Sequence, residues 1–101
     1  MITNETIPTR ADVPWRNIDG NVIIVKPTEG FLYPLNSVAT KIWLLSDGTK
    51  QVADIVEALV TEFDGEADQI RKDALLFLEE LEKASLIHIV PSSKTVSREK
   101  E

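Results

Sequence analysis

A proline inside an apolar strand that runs straight into a capped helix is the strongest constraint this chain carries. The stretch is Phe31-Leu32-Tyr33-Pro34-Leu35-Asn36-Ser37-Val38-Ala39-Thr40-Lys41-Ile42-Trp43. Proline has no N–H to give a ladder, so a strand containing Pro34 belongs at the edge of a sheet. Asn36 or Ser37 can accept a backbone N–H that the following helix leaves unpaired. An edge strand beside a helix is also a place where an extended guest segment can join a sheet.

The neighbouring sequence supplies the rest of that sheet. Trp15-Arg16-Asn17-Ile18 alternates with period two, and Asp19-Gly20 suits the positive φ angles of a tight hairpin. Asn21-Val22-Ile23-Ile24-Val25-Lys26 is rich in β-branched residues and reads as the central strand. Pro27-Thr28-Glu29-Gly30 forms a second turn and leads into a third strand over Phe31–Leu35. The expectation is a three-stranded antiparallel meander at the N-terminal end.

Three helices follow. The first spans about Ser37–Leu45, with Val38, Ile42 and Leu45 inward, Ala39 and Trp43 at one margin and Leu44 pointing away. The second carries Val52, Ile55, Val56, Leu59, Val60 and Phe63 on one stripe and stops at Asp64-Gly65. The third spans about Glu66–Ala84, with Ile70, Ala74, Phe77, Leu78 and Leu81 on its core face. Leu75 falls on the rim of that face and Leu76 nearly opposite its centre. Leu86–Val90 is a short β-type run whose pairing the sequence leaves open, packing back on the sheet as a further strand being one option. Residues 1–12 read as a flexible lead-in, 13–90 as the folded domain and 91–101 as a disordered tail. The fold class is α+β.

Composition removes several functions. The chain has 101 residues, 43% apolar, enough for one small core. It has no cysteine and one histidine, so no thiolate metal site or disulfide framework exists. His88 lies within an apolar run, without a nucleophile pattern or further ligands at metal-binding spacing. The isolated glycines cradle no phosphate. No catalytic, metal or cofactor residue is assigned, and the chain is expected not to be an enzyme. Met1–Ala11 lacks the apolar centre of a signal peptide, and no run reaches membrane-span length. Together with the absent cysteine this suits a cytoplasmic address.

Charge removes another. The net charge is −6, and Asp47–Glu82 holds eleven acids against three bases. Strands plus three helices allow a winged-helix DNA reader. Its third helix would carry Glu66, Asp68, Asp73, Glu79, Glu80 and Glu82 against Arg71, Lys72 and Lys83. That surplus of acids repels phosphates, so no nucleic-acid partner is expected.

The joint pattern resembles the PqqD family of small peptide-binding domains. The matching residues are Trp15-Arg16, Asp19-Gly20, Leu35-Asn36-Ser37-Val38-Ala39, Ile42-Trp43 and Asp47-Gly48-Thr49. They continue through Val52, Ile55-Val56, Asp73, Phe77-Leu78, Leu81 and Leu86-Ile87. The resemblance implies a winged-helix-like fold. It also implies a non-enzymatic chaperone that binds the leader of a ribosomally made precursor peptide. The leader would be presented to a modifying enzyme, often a radical S-adenosylmethionine protein, in pyrroloquinoline quinone or other peptide-modification pathways. It would add beside the third strand and lie against the third helix. The implied contacts are Phe31, Leu32, Tyr33 and Leu35 on the strand. On the helix they are Arg71, Ala74, Leu75, Leu78 and Glu82. A structural alternative is an interaction domain in which the same edge pairs with a second copy, so monomer and strand-exchanged dimer both stand. Two positions depart from the family. Gln51 stands where a Thr or Ser usually opens the second helix, leaving Thr49 as a candidate cap. Ser85 stands where glycine usually ends the third.

Overall fold

The computed structural model describes residues 2–26 and 30–91. Along the chain it runs β1 (Thr6–Arg10), β2 (Trp15–Ile18), β3 (Asn21–Lys26), β4 (Phe31–Pro34), α1 (Ser37–Leu45), α2 (Val52–Glu62), α3 (Ala67–Lys83) and β5 (Ile87–Pro91). The expected meander is present as an antiparallel sheet ordered β2-β3-β4, and the expected three helices follow. Asp19 and Gly20 take φ angles of 54° and 93°, and Asn17 Oδ1 accepts the Gly20 N–H at 3.0 Å. The second turn, 27–29, and the tail from residue 92 lie outside the described residues.

One strand was missed. The segment read as a lead-in contains β1, which pairs antiparallel with β5 in a separate two-stranded sheet. The pairing of the 86–90 run, which the sequence leaves open, is thus with β1 and not with the main sheet. Its partner lies near the opposite end of the chain, at Thr9↔His88 and Ile7↔Val90. Thr6, Pro8 and Ile2 are buried, so the folded unit begins well before residue 13. Pro8 is tolerated because its side of β1 faces away from β5. There its carbonyl accepts the Gly48 N–H at 3.0 Å, and no donor is needed.

β1 also explains Trp43. The helix pattern places this residue at a margin, yet it is fully buried. Trp15 meets it edge to face, with centroids 6.2 Å apart. Arg10 of β1 sits over Trp15 and donates to the carbonyls of Trp43 and Leu44 at 3.0 and 2.9 Å. A cation thus satisfies the carbonyl end of α1, where the helix dipole favours it.

The helix ends follow local chemistry. Asn36 caps α1, accepting the Ala39 N–H at 2.9 Å. Gln51 is the N-cap of α2, and Asp54 Oδ2 accepts its N–H at 3.1 Å. Thr49 does not cap, because its hydroxyl and N–H both donate to Asp47 Oδ1. Ser85 takes a left-handed φ of 62°. This lets Ser85 N–H reach Glu82 O at 3.0 Å and Leu86 N–H reach Leu81 O at 2.8 Å. The pair closes α3 as a Schellman turn, with buried Leu86 packing where the motif places its apolar contact.

The core lies between the inner face of the β2-β3-β4 sheet and the helices, with Val22, Ile24, Ile42, Trp43, Ile55, Leu59, Leu78 and Leu86 fully enclosed. Three polar residues, Thr6, Thr40 and Ser46, are buried among the described residues, and Thr40 ties elements together. Its hydroxyl accepts the Val22 N–H at 2.9 Å and donates to Leu35 O at 3.4 Å. It thereby joins α1 to the start of β3 and the end of β4.

Candidate functional site

β4 pairs with β3 on one side, and among the described residues no strand covers its other side. The register is Ile23↔Pro34, Ile24↔Tyr33, Val25↔Leu32 and Lys26↔Phe31. Leu35 N–H donates to Val22 O at 2.8 Å, which sets which residues bond inward. In an antiparallel ladder the bonding side alternates along the strand. Phe31, Tyr33 and Leu35 therefore bond toward β3, and Leu32 and Pro34 turn their backbone groups to the open edge. Pro34 breaks no bond to β3. Its missing N–H faces outward, where the edge offers Leu32 N–H, Leu32 C=O and Pro34 C=O.

Side chains alternate across the two faces of the sheet. Leu35 is buried and Tyr33 half-buried against the core, both on the helix side. Leu32 is 65% exposed on the opposite face, beside its partner Val25. Phe31 opens β4, and its side chain is outside the described set.

The helical wall differs from the expected one. At about 100° per residue, Asp73, Phe77 and Ala84 share one flank of α3, and Arg71, Leu75 and Glu82 share the other. Two contacts place β4 beside the first flank. Lys26, which pairs with Phe31, donates to Ala84 O at 2.6 Å. Asn36, at the end of β4, lines a hollow of about 280 Å³ with Val38, Ala39, Ile42, Asp73 and Phe77. A second hollow of about 220 Å³ extends it past Val38 and Asp73 to Asp64, Glu66, Gln69 and Ile70.

Of the expected helix contacts, Ala74 and Leu78 are enclosed in the core and present no surface. Leu75 is half-buried against that core on the far flank. Glu82 lines a separate hollow with Ser85, Ile87, His88 and Ile89. Arg71 is exposed and pairs with Asp68 at 3.1 Å. The structure thus brings Asp73 and Phe77, not Leu75 and Leu78, to the side where β4 ends. The core stripe of α3 was readable from its period, but which flank meets β4 depends on where the sheet docks.

The groove is acidic. Asp64, Glu66 and Asp73 line its two hollows, and among the described residues no Lys, Arg or His does so. Asp73 Oδ1 accepts from Gln69 Nε2 at 2.9 Å. Val38, Ala39, Ile42 and Phe77 make the rest of the wall apolar.

No curated protein matches the chain. A solved structure described as "TbiB1 in Complex with the TbiA(beta) Leader Peptide" superposes with a TM-score of 0.71 at 26% identity, covering 79% of this chain and 94% of that one. The family described as "Coenzyme PQQ synthesis protein D (PqqD)" matches residues 21–87, the span that holds β3, β4 and all three helices. With two-thirds of its length matched, and with the mixed sheet-and-helix fold that the resemblance implied, the chain belongs to the PqqD family.

Proposed function

We propose that this chain is a non-enzymatic peptide-binding domain that holds the leader of a ribosomally made precursor peptide for a modifying enzyme. The observation that carries the reading is the open edge of β4, with Leu32 and Pro34 facing outward beside a groove walled by Asp73 and Phe77. A leader strand would take sequence-tolerant backbone bonds from Leu32 and Pro34 and place alternate side chains in the groove. Membership of the PqqD family and the likeness to TbiB1, solved with a leader peptide, support it. The modifying enzyme, of radical S-adenosylmethionine or another type, would receive the leader held in this way. No helix among the described residues is long and apolar enough to cross a membrane.

The test is a titration of isotopically labelled protein with the leader encoded beside its own gene. Amide shifts should concentrate on Leu32–Asn36 and Asp73–Phe77. Asp73→Lys should weaken binding of a leader with basic residues by about tenfold or more, on the scale of one charge-assisted contact. Leu75→Asp should leave affinity within about twofold of the wild type, a difference below 0.5 kcal/mol. Shifts confined to Arg71, Leu75 and Glu82 would refute the placement. The same free edge could seat a second copy of the chain. A stable dimer in light scattering that excludes the leader would establish that role instead.

A further inference from the structure

We infer that the segment β4 accepts is read on both faces, with an apolar side chain outward opposite Leu32 and a basic one inward next to it on the Pro34 side. The inference rests on the reading that β4 adds a guest strand.

Leu32 is the one edge residue offering both an N–H and a C=O, so it fixes the guest's register. In antiparallel pairing, one guest residue exchanges both bonds with Leu32, and directly opposed side chains share a face. That guest side chain therefore stands beside Leu32 on the outer face of the sheet.

Toward β4 the outer face is apolar where a solvated sheet face is ordinarily polar, and the polar Arg16 and Asn21 lie on its β2 side and at the start of β3. β3 carries Val22 and Ile24 inward, fully buried, and Ile23 and Val25 outward. Leu32 and Pro34 continue the apolar surface onto β4. An apolar guest residue opposite Leu32 covers a side chain that is 65% exposed. A charged residue there would lose hydration and gain no partner.

The guest residues on either side point the other way, toward the groove. On the Pro34 side the wall is Phe77, Val38 and Ala39, with carboxylates at Asp73, Asp64 and Glu66. A Lys or Arg lays its apolar stem along such a wall and its charge at the carboxylates. Pro34 also limits the segment. A guest N–H can bond its carbonyl, but the guest C=O opposite finds no donor, so pairing ends there.

Selection of a random peptide display library on the wild-type protein tests this. Enriched sequences should carry an apolar residue followed or preceded directly by Lys or Arg, and one of them, titrated into labelled protein, should shift the amides of Leu32 and Asp73–Phe77. Changing the inward Arg of that peptide to Gln should weaken it about tenfold on wild type and by a clearly smaller factor on Asp73→Asn. Selection on Leu32→Asp, a change at an exposed position, should replace the apolar outward residues by Lys or Arg and keep the inward pattern. Peptides that shift these amides without that apolar–basic pair would overturn the two-face reading and leave strand addition standing. Outward residues unchanged by Leu32→Asp would overturn it too. Peptides that bind elsewhere, or a library that yields none, would overturn both.

Discussion

Replacing Thr40 by Val removes one oxygen from the place where helix, central strand and edge strand meet. Thr40 is 5% exposed and Val22 is fully buried, so water cannot replace the lost acceptor. The Val22 N–H, now bonded at 2.9 Å, is left without a partner. An unsatisfied buried donor costs about 1–3 kcal/mol. The longer bond to Leu35 O, at 3.4 Å, adds little. Valine fills nearly the volume of threonine and is β-branched too, so neither a cavity nor a large propensity change offsets the result. The expected loss is about 2 kcal/mol, or roughly 10 °C in Tm at the 4–8 °C per kcal/mol typical of small domains. Thr40→Ser keeps the oxygen and drops a methyl, which costs about 0.8 kcal/mol. Urea denaturation followed by circular dichroism measures both variants, and hydrogen exchange at the Val22 amide reports the local bond. A Thr40→Val protein as stable as wild type, or a Thr40→Ser protein less stable than Thr40→Val, would refute the reasoning.

Two further outcomes follow from the structure. Ser85 holds a φ of 62°, a region that costs an L-residue about 1–2 kcal/mol, while glycine loses about 0.4–1 kcal/mol through its freer unfolded chain. Ser85→Gly should therefore stabilise by about 0.5–1 kcal/mol in urea titration, and a destabilised variant would show that the serine hydroxyl matters more than the backbone. The Thr49 hydroxyl, then Lys50 and the Thr49 N–H, hold the Asp47 carboxyl at about 2, below its ordinary 3.8. Its contribution to stability is full above the ordinary value and is lost as pH falls through about 2, so the urea midpoint of wild type should drop across that window more steeply than that of Asp47→Asn. Parallel curves for the two proteins would remove Asp47 as a source of acid sensitivity.

Much of the fold was legible because its signals are local. Asp19-Gly20 needs only its own φ angles, Asn36 needs an N–H three residues on, and the α2 stripe needs only its period. The proline in β4 named an edge strand without reference to any other part of the chain. What no window along the chain could show was long-range pairing. β1 has a proline and two threonines and becomes a strand because β5, some eighty residues later, and the Ser46–Gly48 backbone supply its bonds. Trp43 moved from margin to centre because β1 and Trp15 close over that flank of α1. The candidate site divides in the same way. Sequence determined the edge strand, the amphipathic α3 and the acidic surplus, since each is a property of neighbouring residues. Tertiary structure alone decided that Asp73 and Phe77 flank the groove and that Leu32 faces away from it. Those facts depend on how the sheet docks on the helices, through Lys26 at Ala84 and Thr40 at Val22.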